Sequence, residues 1–232
     1  MIPLDRAPDV SVRRLLMLAP MLGVSWYFWH TPWLWPLRIL VTFIHEISHG
    51  LMGVLTGGRI DKITVQADGS GLCFVSGGIY ALILPAGYIG SMAAGALILI
   101  LACRTRYDKY VSLALGLGLL AMTLFYVRSM FGFWSGLALG AALASAGWWL
   151  PDDVNDLLLS FIGTTSCLYA FFDLRYVLKV GGGVVNDTTL FSQHVFPLPP
   201  RVWAVLWMGA SLAVLAWALK VALKRSPSPQ GV

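Results

Sequence analysis

Residues 36–55 read PLRILVTFIHEISHGLMGVL, a predominantly apolar run that contains Arg38, His45, Glu46 and His49. Its length suffices to cross roughly 30 Å of hydrocarbon as an α-helix. On a helix, positions four apart lie one above the other, so the imidazoles of His45 and His49 can reach one metal ion. Zinc takes nitrogen ligands at about 2.0–2.1 Å, and a catalytic site keeps one coordination position open for water. The metal brings the pKa of that water down toward neutrality and polarises a carbonyl. Glu46, next to the first histidine, can take the proton and pass it to a leaving amine. The pattern H-E-x-x-H therefore fits metal-assisted hydrolysis of a peptide bond.

An accidental match is the competing reading. By composition alone the pattern turns up in something like one chain in a hundred of this size, and a histidine on an apolar face is usually a core residue. Three features count against accident. The chain has four histidines, and two fall in the motif. Glu46 is its one glutamate. The motif also lies near the middle of its apolar run, hence near mid-bilayer, where an ionisable side chain is costly and by default functional.

Working outward, the 232 residues are 58% hydrophobic and 12% charged, against about 25% charged in soluble domains. Such a chain cannot cover itself with a solvated surface, so it reads as an integral membrane protein. The net charge of +5 suits loops facing anionic headgroups. Basic residues do not interleave with aromatics, which argues against a nucleic-acid partner. Cys73, Cys103 and Cys167 are far apart and form neither a disulfide framework nor a cysteine metal site.

Apolar runs predict spans at about Leu15–Trp29, Pro36–Leu55, Ile79–Cys103, Val111–Val127, Phe131–Leu150, Val154–Val180 and Val202–Ala222. The first is followed by Trp26, Tyr27, Phe28, Trp29, Trp33 and Trp35, rings suited to a membrane interface, so it reads as an anchor or short span rather than a cleaved signal. Gly57-Gly58 ends the motif helix. Alternating residues from Arg59 to Gln66 and from Leu72 to Val75, around a Gly-rich turn, predict a β-hairpin. Open backbone of this kind must sit at the interface or inside a protein cavity. The expected fold is an all-α membrane protein, a polytopic bundle of six or seven transmembrane helices with a small β-hairpin after the motif helix. Residues 1–34 form the anchor or first span, 35–223 the membrane-embedded core and 224–232 a disordered tail. Basic residues divide almost evenly between the two sides; Arg6, Arg13 and Arg14 favour a cytoplasmic N-terminus.

A zinc site of this kind needs a third protein ligand. Asp173 is the first candidate, because it lies well inside an apolar span and its burial demands a partner; Arg128 is the alternative partner. Asp187 is the second candidate, competing with a role as N-cap for the helix from Thr188, and His194 a third. His30, among interface aromatics, reads as an amphipathic anchor. Asp152, Asp153 and Asp156 read as a solvated helix N-terminus.

The segment Thr42–Gly50, then Thr56-Gly57-Gly58-Arg59, a Gly-rich hairpin and Pro85-Ala86-Gly87-Tyr88-Ile89-Gly90 resemble the site-2-protease clan of membrane zinc metallopeptidases. The resemblance is nearest to the small bacterial M50B-like branch and covers about Trp35 to Val214. It implies His45 and His49 as zinc ligands, Glu46 as catalytic acid/base, and a water-accessible cavity between spans. Clan members take their third ligand from an L-D-G motif, which this chain lacks; Asp173 and Asp187 occupy the nearest counterparts.

The resulting expectation is a zinc metalloendopeptidase in the bacterial cytoplasmic membrane. It would act on a membrane protein or peptide within or next to the bilayer, with Glu46 activating a zinc-bound water. The hairpin and the small-residue third span are candidate substrate contacts. The alternatives are a non-proteolytic metal-binding protein or transporter, which would need ionisable residues on several spans, and a catalytically degenerate scaffold of the same fold.

Overall fold

The structure, a computed structural model, describes residues 12–180 and 185–224. The chain start with Arg6, the glycine run 181–183 and tail residues 225–232 lie outside the described residues. Among those described, eight helices and one hairpin follow in the order α1 (Val12–Phe28), α2 (Trp35–Leu55), β1 (Arg59–Val65), β2 (Gly71–Ser76), α3 (Tyr80–Arg104), α4 (Asp108–Tyr126), α5 (Met130–Trp149), α6 (Asp152–Val180), α7 (Asp187–His194) and α8 (Pro200–Leu223). This is the all-α bundle with a small hairpin expected from the apolar runs.

Five helices, α3, α4, α5, α6 and α8, are long and apolar enough to cross a membrane. Five of the expected six or seven spans thus meet this measure of length and composition among the described residues, and the other two differ from them in particular ways. Helix α1 has 17 residues, and α2, with 21, carries Arg38 and the three motif side chains. Large apolar side chains on the outer helices, such as Leu117, Phe125, Trp134, Leu212 and Trp217, are exposed, as lipid-facing positions should be.

Helices α3 and α6 form the centre of the bundle, and α2 and α8 pack against α3. Glycine lets the two central backbones meet. A Cβ on Gly95 would stand 2.7 Å from the Gly163 carbonyl oxygen, and one on Gly163 would stand 2.8 Å from that of Gly95. Helix α1 is no detached anchor, since Leu18, Met21 and Trp29 are buried in the core that α3, α6 and α8 share. Trp29 stacks on Phe172 at 4.4 Å, so at least this ring of the aromatic cluster serves packing rather than the interface.

The hairpin is antiparallel, with Thr64 opposite Leu72 and a bulge between Ile60 and Lys62. Gly69, at φ +94°, makes the turn. One face lies on α2, where Gly50 leaves room for Ile60 and Cys73, and Gly53 for Val75. The edge of β1 is held by the α4–α5 connection: the Arg128 amide donates to the Ile63 carbonyl at 2.9 Å. The Ser129 hydroxyl accepts from the Val65 amide and donates to its carbonyl, at 3.0 and 2.8 Å. Trp35 Nε1 donates to Ala67 at the turn at 2.8 Å. These contacts meet the hairpin's need for partners away from lipid, and among the described residues β2 has a strand on one side only.

Candidate metal centre

Helix α2 brings His45 and His49 together as the four-residue spacing requires. Their Nε2 atoms are 3.1 Å apart, and both residues are buried. The third member arrives from α7: Asp187 Oδ2 lies 3.1 Å from His45 Nε2 and 3.3 Å from His49 Nε2. Asp187 is available because the cap of α7 is its neighbour. The Asn186 side chain accepts from the Thr189 amide at 3.0 Å, and Thr189 Oγ1 accepts from the Asn186 amide at 2.9 Å. The competing reading, in which Asp187 itself caps this helix, does not hold; Asn186 is the cap, and Asp187 stands at the first helical position with its carboxylate turned to the histidines.

His49 Nδ1 donates to the Ile83 carbonyl at 2.7 Å, which fixes the tautomer and leaves the Nε2 lone pair facing the cluster. Two imidazole lone pairs and a carboxylate oxygen at such separations repel one another unless a proton or cation stands among them. Ligands at about 2.0–2.1 Å in a tetrahedral zinc site are separated by roughly 3.3–3.4 Å, close to the edges of this triangle. His45, His49 and Asp187 could therefore hold a metal ion, and their donor set of two nitrogens and one oxygen suits zinc.

Two glycines make the space. A Cβ on Gly87 of α3 would lie 2.5 Å from both Cε1 and Nε2 of His45 and closer still to His49 Nε2. A Cβ on Gly71, at the start of β2, would lie 2.5 Å from Glu46 Oε1. Glu46 is buried beside the cluster with its carboxylate against the hairpin. Neither requirement was readable from small-residue spacing alone, although the Ala86-Gly87-Tyr88-Ile89-Gly90 segment marked the place.

Asp173 is placed differently from Asp187. Its Oδ2 accepts from the Tyr88 hydroxyl at 2.6 Å, and it is not among the three donors that converge. Arg128 does not reach it, because that guanidinium binds the Val127 and Phe125 carbonyls at the end of α4. His194 is exposed at the last position of α7, with its ring 5.8 Å from Tyr80. His30 sits in a separate surface hollow with Trp35 and Arg38. Asp152 pairs with Lys109 at 3.3 Å, away from the site. Cys73 lines the cavity, with burial pushing its thiol up to about 12, and it is not among the three donors that converge.

The motif residues, Asp187 and Asp173 open on one cavity of about 440 Å³, also lined by Gly69–Cys73 of the hairpin, Tyr80, Tyr88, Tyr169 and Asn186. A larger hollow of about 550 Å³ between α2, α3 and α4 is lined by apolar side chains, with Ser48 the polar exception, and contains none of these residues. The candidate metal donors belong to the smaller cavity.

Comparison with curated proteins and with solved structures found no match. A family model described as Peptidase M50B-like matches residues 18–218. The match begins inside α1, so the first helix belongs with the core rather than outside the resemblance. With its apolar helices and this match over most of its length, the chain is an integral membrane protein of the Peptidase M50B-like family, within the site-2-protease group.

Proposed function

We propose that the protein is a zinc metallopeptidase of the bacterial cytoplasmic membrane that hydrolyses peptide bonds of a membrane protein or peptide within or next to the bilayer. The observation that carries this reading is the convergence of His45 Nε2, His49 Nε2 and Asp187 Oδ2 within 3.3 Å of one another beside the buried Glu46 carboxylate. When bound, zinc supplies Lewis acidity, which polarises a carbonyl and makes water acidic near neutral pH.

The chain's own groups do the rest. His45, His49 and Asp187 hold the ion, and the Ile83 carbonyl keeps His49 in the ligating tautomer. Glu46 takes a proton from the attacking water at a carboxylate oxygen and delivers it to the amine nitrogen as the C–N bond breaks. Its position against Gly71 puts that oxygen at the wall of the cavity that the hairpin lines, which supports this role. The free side of β2 offers backbone donors and acceptors to an extended peptide, which suits a reaction that needs an unwound substrate.

Metal removal tests the reading. Purified protein in detergent is expected to lose cleavage of an unfolded membrane-peptide mixture when zinc is chelated and to regain it on adding back one equivalent. Cleavage that survives complete zinc removal would sink the assignment.

A further inference from the structure

Three carboxylates face the cavity, from Glu46, Asp173 and Asp187, and among the described residues no lysine or arginine lines it. On the reading above, Asp187 holds the divalent ion and Glu46 moves the proton. Asp173 is the cavity carboxylate left without a part in the cluster. Arg38 and Arg175 are not among the residues that line the cavity. Arg38 donates to the Asp68 carbonyl at 3.2 Å. Arg175, two residues along α6, lies over the rings of Trp26, Phe171 and Phe172 at 5.1–5.5 Å.

Asp173 is also held ready. The Tyr88 hydroxyl fixes its Oδ2 at 2.6 Å, and Tyr88 is itself buried and packed edge-on against His45 with ring centroids 4.7 Å apart. The carboxylate is therefore oriented by the helix that seats the metal cluster, and Asp173 remains exposed on the cavity side. A carboxylate open to a cavity that no described lysine or arginine lines is a ready acceptor for a cationic group entering with the substrate.

We propose that Asp173 is a specificity-determining residue whose carboxylate receives a basic side chain of the bound peptide close to the bond that is cut. This rests on the peptidase reading, and the test separates the two. Zinc-loaded protein carrying Glu46→Gln, so that nothing is cleaved, is titrated with three dye-labelled Ala/Leu peptides that differ at one central residue: lysine, norleucine or glutamate. The lysine peptide is expected to bind about tenfold more tightly than the norleucine peptide, and the glutamate peptide more weakly still.

Adding Asp173→Asn, which keeps side-chain size and an acceptor for Tyr88, is expected to bring the three affinities within about twofold, with zinc content unchanged. If that variant does not fold, the order of the three peptides on the protein with Asp173 intact decides. Equal affinities there, or a lysine preference that persists in Asp173→Asn, would overturn the specificity role while leaving hydrolysis standing. Failure of all three peptides to bind would overturn the peptidase reading and this inference with it.

Discussion

Glu46→Gln is expected to lower the cleavage rate by roughly 10²–10⁴-fold, the range in which a positioned acid/base group contributes, without changing zinc content or helix content. The substitution keeps the shape of the side chain and its seat against Gly71 and removes only the ability to take a proton. The loss should appear in kcat rather than KM, because the group acts on the reacting atoms and not on peptide binding. Single-turnover cleavage with purified, zinc-loaded protein measures it. A variant that cleaves at close to the wild-type rate would remove Glu46 from the chemistry and leave the cluster as a metal site of another purpose.

Gly87→Ala is the second large effect, and two physical terms oppose each other there. Within a helix the change from glycine to alanine favours folding by about 1 kcal/mol. The added methyl, however, would stand 2.5 Å from His45 Nε2 and nearer to His49 Nε2, in the space between the imidazoles and α3. These are ring atoms and not the ends of long flexible chains, so the methyl displaces the ligands themselves. The expected result is a folded protein whose zinc affinity falls by more than about 100-fold, since outer partners of metal ligands alone are worth 10–100-fold. Equilibrium dialysis with circular dichroism as the folding control distinguishes this from simple unfolding. Wild-type zinc affinity in Gly87→Ala would show that the imidazoles do not need that space.

The elements whose signals are local were legible in the sequence. The apolar run around His45 is long and periodic, so α2 and the stacking of its two histidines follow from helical geometry. The hairpin follows from alternation on either side of Gly69, and its observed strands lie within a residue or so of those expected. Third-ligand choice was harder, because it depends on which distant segment folds back on α2. Asp173 looked stronger because a carboxylate inside an apolar run demands a partner, and it has one. That partner is a tyrosine 85 positions earlier, which no spacing rule reveals.

Asp187 looked like a cap because Asn and Asp are both good caps and stand side by side. Only the bond from Asn186 to the Thr189 amide decides which of them is used. Helix α7 was legible only as a start at Thr188 and not in its extent, because eight residues, DTTLFSQH, carry little amphipathic period. Glycines 71 and 87 were visible as small residues, but what each makes room for is a contact between elements and has no signature in one chain.

Zinc stoichiometry in Asp187→Asn and Asp173→Asn, measured side by side on purified protein after dialysis against trace zinc, tests the central claim most directly. The wild-type chain and Asp173→Asn are expected to hold one zinc each, and Asp187→Asn to hold almost none at the same free zinc. Retention by Asp187→Asn together with loss by Asp173→Asn would contradict the assignment of Asp187 as the ligand that completes the histidine pair.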